Sequence, residues 1–252
     1  MGSTLIATSG ADFSAPPVQV TFDGLLFDMD GTIIDSTAAV EKHWEAIGKE
    51  IGHSPEVILQ TSHGRRTIDM LKELAPEKAT WEYVQHMEGL LPKKYGDDAV
   101  EIPGARALLQ DLIDRKKPWA IVTSGTKPLV SGWLDVLSLP HPQHLITAES
   151  VLNGKPDPAC YLLGRDRLEL SYPGNAEVLV LEDAPAGIRA GKAAGCKVVG
   201  LVTSHTVEQV LEAGPDWVVR DLRSVRFVPV PEEGSEERKV TLEIRDALVL
   251  KN

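Results

Sequence analysis

Cysteine is almost absent from the sequence: Cys160 and Cys196 are the only two, which is too few for a disulfide framework. No apolar run approaches the length needed to span a membrane, and the N-terminus lacks a basic region followed by an apolar core. Reduced thiols are the default in the cytosol, so we expect a cytoplasmic protein that does not bind a membrane.

The sequence also has fewer basic than acidic residues. The 252 residues include 26 Lys and Arg against 37 Asp and Glu, which gives a formal net charge of -11 at pH 7. This balance provides no basic surface for nucleic acid or for anionic lipids. An acidic protein that handles an anionic substrate needs local positive charge, a metal ion or helix N-termini. The length suits one large domain, or a core with an insert, and we expect a monomer.

The segment around residue 28 carries two carboxylates one residue apart. Residues 25–27 are apolar and predict the end of a buried strand, after which come Asp28 and Asp30. Residues i and i+2 of a strand point to the same face, so both carboxylates project together, and like charges this close repel unless a cation or a proton intervenes. A surface turn at Gly31 is the alternative interpretation. An EF-hand is excluded, because its twelfth position would be Ala39 instead of Glu.

The stretch from residue 37 to residue 101 has a helical apolar pattern throughout. Trp44 and Ile47 recur at helical spacing, and Thr80 is a suitable helix N-cap. We therefore expect an all-helical insert. The predicted division is a flexible leader at residues 1–18, a core formed by residues 19–36 and 102–252, and the insert at residues 37–101.

After the insert, helical and strand patterns alternate. Short apolar strands are predicted at residues 119–122, 144–147, 178–181, 197–201 and 217–219. Together with a first strand over Val20–Phe27, this alternation is typical of right-handed βαβ units, so the predicted class is α/β with a doubly wound, Rossmann-like parallel sheet. The tail from Arg226 to Leu250 alternates apolar and polar residues around a charged turn and predicts a terminal β-hairpin.

Polar residues follow several of these strands, at the edge where doubly wound sheets bind their ligands. The residues that would meet there are Asp28, Asp30, Thr123, Ser124, Lys155, Glu182 and Asp183. Carboxylates, hydroxyls and an ammonium in one place suit Mg2+ chemistry on a phosphate group, and the amides after Ser124 can bind the remaining phosphoryl oxygens. Each motif alone is more often structural, but their joint order favours a functional site.

Four motifs in this order resemble those of the haloacid dehalogenase-like phosphatase superfamily: residues 28–32, Ser124, Lys155 and residues 182–183. The resemblance covers residues 20–225, and a helical insert between the first two motifs matches the subgroup with a C1 cap. In more detail, four segments are similar to the glycerol-1-phosphatase and 2-deoxyglucose-6-phosphatase group. These are Ser62–Thr67, Thr123–Thr126, Gly154–Pro158 and Glu182–Cys196.

The resemblance implies a role for each site residue. Asp28 would attack phosphorus and carry an aspartyl-phosphate, while Asp30 would protonate the leaving alkoxide and then take a proton from water. Mg2+ would be held by the Asp28 carboxylate, the Asp30 backbone carbonyl and Asp183, with Glu182 nearby or acting through water. The phosphate would be bound by Thr123, Ser124, Gly125 and Lys155.

The insert contains the candidates for substrate choice. His63, Arg65 and Arg66 lie among small residues that interrupt the helical pattern, where a substrate loop is expected; a solvated basic turn is the alternative. The implied function is a Mg2+-dependent phosphatase of glycerol phosphate or of a sugar phosphate such as 2-deoxyglucose 6-phosphate. A sugar phosphomutase on the same scaffold and a catalytically inactive binding protein stay open as alternatives.

Overall fold

The computed structural model describes residues 10–55, 58, 64–171, 174–229 and 238–250. The strands are β1 (Val18–Phe22), β2 (Gly24–Phe27), β3 (Ile34–Asp35), β4 (Val100–Glu101), β5 (Trp119–Val122), β6 (His144–Ile146), β7 (Val178–Glu182), β8 (Lys197–Leu201), β9 (Trp217–Val219), β10 (Val225–Phe227) and β11 (Val240–Ile244). The α-helices are α1 (Thr37–Ile51), α2 (Thr67–Leu74), α3 (Trp81–Tyr95), α4 (Ala105–Asp114), α5 (Lys127–Val136), α6 (Ala159–Arg167), α7 (Pro185–Ala193) and α8 (Val207–Glu212). Within these described ranges, each helix is too short or too polar to cross a membrane.

Six parallel strands form the central sheet, in the order β6-β5-β2-β7-β8-β9. Leu25 and Phe27 of β2 belong to one buried cluster and Leu26 belongs to another, because alternate side chains of a strand point to opposite faces. Helices α4 and α5 contribute to the first cluster, and α6 and α7 contribute to the second. The predicted doubly wound α/β class is therefore confirmed. With both faces covered, functional groups are carried at the carboxyl ends of the strands.

The first predicted strand is wrong in one respect. Residues Val20–Phe27 form parts of two strands, β1 and β2, which belong to different sheets. Asp23 lies between them: its amide donates to Glu177 O at 2.7 Å, and its carboxylate accepts from the Glu177 amide at 2.8 Å. These two hydrogen bonds fix the point at which the chain passes from one sheet to the other.

An antiparallel sheet in the order β1-β11-β10 contains the C-terminal tail. The pairing of β10 with β11 agrees with the predicted hairpin, whose turn falls outside the described residues. The other edge of β11 pairs with β1, which the sequence did not predict. Of the predicted leader at residues 1–18, residues 1–9 lie outside the described residues. Phe13 is buried and Ala15 bridges to Ala247, so the part of the leader from Phe13 onward packs against the fold.

Helices α1, α2 and α3 follow β3 and pack around an apolar cluster of their own, which includes Trp44 and Leu71. Thr80 caps α3 as predicted, since its hydroxyl accepts a hydrogen bond from the Tyr83 amide at 3.3 Å. The expectation of helices alone over residues 37–101 is wrong at β4, which pairs antiparallel with β3. This short ladder joins the two connections between the helical insert and the core.

Candidate active site

Asp28 lies directly after β2, at the carboxyl end of the central sheet. Its amide donates to Leu181 O of β7 at 3.0 Å, which fixes the backbone at the strand end. The residue is 7% exposed and lines a cavity between the core and the insert. Burial raises the pKa of Asp28 well above its usual range, and the Lys155 ammonium, whose Nζ donates to Asp28 Oδ1 at 2.5 Å, opposes this rise. A buried carboxylate beside an ammonium at a cavity wall is suited to attack on an anionic substrate.

Lys155 lies in the loop before α6 and is buried. Besides Asp28, its Nζ donates to Glu182 Oε1 at 2.6 Å and to Val122 O at 3.2 Å. Burial opposes the charge on Lys155, but the carboxylates of Asp28 and Glu182 outweigh burial and raise the pKa above its usual range. The ammonium is therefore fixed in place and positively charged, as a phosphate-binding group must be.

Glu182 is fully buried at the end of β7, and both oxygens of its carboxylate are hydrogen-bonded. Oε1 accepts from Lys155 Nζ and from Tyr161 OH, the latter at 2.8 Å. Oε2 accepts from the backbone amides of residues 183–184, both at 3.0 Å. A Cβ at Gly187 would overlap this carboxylate, so the first turn of α7 requires glycine there. These contacts favour a role for Glu182 in positioning Lys155 over direct metal binding.

Asp183 completes a cluster of three buried carboxylates. Oxygens of Asp28, Glu182 and Asp183 lie within 4.8 Å of one another. Asp183 Oδ1 accepts from Thr32 Oγ1 at 3.3 Å, and Oδ2 accepts from Ser204 Oγ. Burial and then the charge on Glu182 raise the pKa of Asp183 to about 7. The cluster is thus electrostatically unfavourable as three bare carboxylates.

The chemistry of this cluster fits a divalent cation. The three carboxylates carry up to three negative charges, of which Lys155 balances one. Buried like charges repel, and a hard cation with oxygen ligands would offset the remainder. Asp28, Asp30 and Asp183 line the cavity, so their oxygens are the ones available to hold the cation beside a substrate.

Asp30 lies at the cavity wall, apart from the three-carboxylate cluster. The backbone turns sharply at Gly31, whose φ of +86° favours glycine. A Cβ at Gly31 would also overlap the Asp183 carboxylate, so glycine allows Asp183 to approach this loop. Ser36 Oγ donates to Asp30 Oδ1 at 2.6 Å and orients the carboxyl group. Asp30 is therefore placed where it can exchange a proton with a group bound in the cavity.

The predicted phosphate loop, residues 123–125, lines the cavity after β5. The Gly125 amide donates to Thr123 Oγ1 at 3.0 Å, which holds the loop in a tight turn. Ser124 Oγ donates to Gly64 O of the insert at 2.9 Å. A hydroxyl has a single proton to donate, so Ser124 must turn away from Gly64 to donate to a phosphate oxygen.

The residues predicted to choose the substrate have different positions. Arg65 lines the cavity, and its guanidinium pairs with Glu73. His63 falls outside the residues that the structure describes, so its predicted role is untested. Arg66 is directed toward the core, where its guanidinium binds backbone carbonyls.

Arg66 joins the insert to the core. The residue is 4% exposed, and its guanidinium donates to three backbone carbonyls of the loop at residues 148–152: Nη1 to Ala148 O at 3.1 Å and Val151 O at 2.9 Å, and Nη2 to Leu152 O at 2.9 Å. Nε pairs with Asp69 at 2.6 Å. The structure therefore corrects the expectation that Arg66 binds substrate, because its guanidinium already binds three carbonyls of the core and the Asp69 carboxylate.

Replacing Arg66 by Ala should lower the free energy of unfolding by about 2–4 kcal/mol, because the variant loses a buried guanidinium and its three hydrogen bonds to backbone carbonyls. Denaturant unfolding measures the loss. Lys72→Ala is the matched control, since it removes an exposed partner of the same Asp69 and should cost less than about 1 kcal/mol. Equal losses in the two variants would contradict this role of Arg66.

Several cavity residues were not predicted. Ser204 follows the carboxyl end of β8, so the strand-end rule that selected Asp183 could have found it. His43 and Glu88 line the cavity from α1 and α3. Polar residues on a buried helix face are a sequence signal for a functional site. Whether they face a cavity, however, depends on how the insert packs on the core.

Glu88 is a second connection between insert and core. Its Oε2 accepts from the Thr126 amide at 2.7 Å, immediately before α5. Burial raises the pKa of Glu88 to about 7, hydrogen bonds from Thr67 and Thr126 oppose the rise, and the charge on Asp30 adds to it. The folded protein therefore binds this proton more tightly than the unfolded chain does.

Glu88 predicts a pH dependence of stability. Because its pKa is raised on folding, Glu88 contributes to the free energy of unfolding. This contribution is fully present below about pH 4.5 and is lost as the pH rises through about 7. Glu88→Gln removes this titration. The free energy of unfolding of the variant minus that of the parent chain should therefore increase by about 3 kcal/mol as the pH rises from about 4.5 to about 7. Denaturant unfolding at several pH values measures the change. Glu82→Gln, on the exposed side of α3, is the control, and the same pH dependence in both variants would contradict the assignment.

A parallel α/β sheet whose edge carries a buried aspartate, a paired lysine and a cluster of carboxylates defines a hydrolase site for an anionic substrate. A model of the haloacid dehalogenase-like hydrolase family matches residues 22–195, and the chain belongs to this family. The membership predicted from the four motifs is thereby confirmed.

Two curated relatives and one crystal structure are similar over most of the chain. The chain is 40% identical over 242 residues to glycerol-1-phosphate phosphohydrolase 1 of Saccharomyces cerevisiae, covering 94% of this chain and 96% of that protein. It is 38% identical over 240 residues to 2-deoxyglucose-6-phosphate phosphatase 1 of the same yeast, covering 89% and 95%. The crystal structure of a hydrolase from Pseudomonas syringae matches with a TM-score of 0.66 and 25% identity, covering 79% of this chain and 94% of that one.

Proposed function

We propose that this chain is a Mg2+-dependent phosphatase that hydrolyses small phosphorylated polyols or sugars through an aspartyl-phosphate on Asp28. The observation that carries the proposal is the buried Asp28 carboxylate, held by Lys155 at 2.5 Å beside Asp183 and open to a cavity. Relatives at 40% and 38% identity are named as phosphatases of glycerol 1-phosphate and 2-deoxyglucose 6-phosphate, which supports the same class of reaction.

The reaction has two steps. First, a carboxylate oxygen of Asp28 forms a bond to phosphorus, the bond between phosphorus and the ester oxygen breaks, and Asp30 gives its proton to the leaving alkoxide. Then water attacks phosphorus, Asp30 takes its proton, and inorganic phosphate leaves as the Asp28 carboxylate is restored. Lys155 and the loop at residues 123–125 bind the phosphoryl oxygens in both steps.

Magnesium is the cation that we propose for the carboxylate cluster, since it prefers hard oxygen ligands and shares its coordination with phosphate and water. It would be held by the Asp28 carboxylate, the Asp30 backbone carbonyl and Asp183. When bound, it supplies positive charge that reduces the repulsion between Asp28 and an anionic phosphate. Glu182 contributes by holding Lys155.

The insert at residues 37–101 is the part of the chain that we assign to substrate choice, over a core of residues 19–36 and 102–252. Core residues contact the phosphoryl group, which every phosphate monoester shares. The carbon part of the substrate must then meet the wall that the insert contributes, where Arg65 and His43 lie. An insert that closes over the sheet edge also excludes water from the leaving group.

A screen of phosphate monoesters with Mg2+ tests the proposal. Glycerol phosphate or 2-deoxyglucose 6-phosphate should release inorganic phosphate. Assaying the sugar product in the same reactions separates the alternatives, because a phosphomutase forms an isomeric sugar phosphate without releasing phosphate. Isomer formation in place of phosphate release, or no reaction with any ester, would overturn the proposal.

A further inference from the structure

The insert side of the cavity carries a buried polar atom that the mechanism above does not use. His43, on α1, lines the cavity and is 5% exposed. Its Nε2 is buried and has no hydrogen-bond partner among the residues that the structure describes. An unpaired buried nitrogen is costly for the free protein, and its residue lines the cavity, so a ligand atom that pairs with the nitrogen would offset this cost.

The surroundings of His43 keep its imidazole neutral. Burial lowers the pKa of His43 to about 4, and the charge on Lys94 adds to this effect. The Trp44 ring packs against it with 5.8 Å between ring centroids, and Val40 and Leu91 line the same wall. The wall therefore presents an uncharged hydrogen-bonding atom among apolar side chains, which suits a carbon chain better than a second anionic group.

A hydroxyl group is the partner that fits this nitrogen. The Nε2 atom of a neutral imidazole is a donor in one tautomer and an acceptor in the other. A hydroxyl satisfies either tautomer, whereas an ionised phosphate or carboxylate oxygen accepts and cannot donate. The insert also contributes Arg65 and Glu88 to the cavity lining, but Arg65 already pairs with Glu73 and Glu88 accepts from the Thr126 amide. The neutral pair of imidazole and hydroxyl therefore agrees with the charges around this wall.

The two sides of the cavity are suited to different parts of the substrate. Asp28 and the loop at residues 123–125, on the core side, bind the phosphoryl end, and His43 faces them from the insert. A molecule that reaches both sides carries a phosphate ester at one end and a hydroxyl further along its carbon chain. A phosphorylated polyol has this arrangement.

We propose that His43 Nε2 hydrogen-bonds a hydroxyl on the carbon chain of a phosphorylated polyol, and thereby selects such esters over alkyl phosphates that lack the hydroxyl. The inference rests on the proposed phosphatase function and identifies the part of the substrate that the insert recognises. His43 acts here in binding and takes no part in bond making.

The test compares kcat/KM for glycerol 1-phosphate with kcat/KM for propyl phosphate, which has the same carbon chain without the hydroxyls. In the parent chain this ratio should be about 10 to 100, because a site built to pair a hydroxyl rejects the analogue that lacks it. His43→Leu should lower the ratio to near 1, mainly through its loss of activity on glycerol 1-phosphate. His43→Gln, which keeps a hydrogen-bonding group, should restore part of the ratio, and His86→Leu on the exposed side of α3 is the matched control.

Stability supplies a second measurement. Leu removes the unpaired nitrogen, so the ligand-free His43→Leu variant should melt at or above the temperature of the parent chain. A lower melting temperature together with equal losses on both esters would overturn the proposal and make His43 a packing residue. If the parent chain hydrolyses both esters equally well, the hydroxyl subsite is overturned and the phosphatase function stands. If it releases phosphate from neither ester, the proposed function fails first.

Discussion

Replacing Asp28 by Asn is expected to reduce phosphate ester hydrolysis by at least about 1000-fold, or about 4 kcal/mol of barrier. The amide keeps the shape of the side chain but cannot form the aspartyl-phosphate, and it removes one oxygen ligand from the carboxylate cluster. The fold should survive, because Lys155 retains Glu182 as a partner at 2.6 Å and burial already opposes a charge on residue 28. Release of inorganic phosphate with Mg2+ present measures the loss.

A stability measurement separates a chemical loss from unfolding. Beryllium fluoride mimics a phosphoryl group bound to a carboxylate, so with Mg2+ it should raise the melting temperature of the parent chain and leave that of Asp28→Asn unchanged. Asp114→Asn, at the exposed end of α4, is the matched control and should keep both the activity and the response. Activity of Asp28→Asn within about tenfold of the parent would contradict the assignment of Asp28 as the nucleophile.

Local rules were sufficient to predict the strand-end residues of the site. Asp28, Asp183 and Lys155 are brought together as expected, because parallel strands carry their polar ends to one edge of a sheet. The same rule applies to Ser204 after β8, which contacts Asp183. It was missed because a lone serine after a strand is a common loop residue.

Residues whose direction depends on long-range packing could not be predicted. The sequence identifies Arg66 as a donor on a loop but cannot tell that its partners are carbonyls of residues 148–152. The sequence predicts one strand over Val20–Phe27 because Asp23 and Gly24 interrupt the apolar run only briefly, whereas β1 pairs with β11, far along the chain. His43 and Glu88 are ordinary helix residues until the insert packs over the sheet edge and places them at the cavity. These features are set by contacts that no local pattern contains.

Removing divalent metal with a chelator is expected to reduce activity to background, and Mg2+ should restore it. Without a cation, the carboxylates of Asp28, Glu182 and Asp183 lie within 4.8 Å of one another and face an anionic phosphate with one ammonium, Lys155, beside them. At such distances each additional like-charge contact costs on the order of 4 kcal/mol near a protein surface, enough to slow the attack by about a thousandfold. Ca2+ should inhibit, because it takes more oxygen ligands at longer distances and can hold both oxygens of the nucleophile.

The melting temperature tests the metal site without relying on turnover. Mg2+ should raise the melting temperature of the parent chain, because the cation binds the folded cluster and offsets its repulsion. Asp183→Asn keeps groups that can pair with Thr32 and Ser204 but removes a charged ligand, so it should fold and lose most of this Mg2+-dependent rise. Asp114→Asn should keep the full rise. Full activity in excess chelator, or an unchanged Mg2+ response in Asp183→Asn, would rule out the carboxylate cluster as the metal site, because the expected loss on chelation and the expected rise with Mg2+ both require a cation held at Asp183.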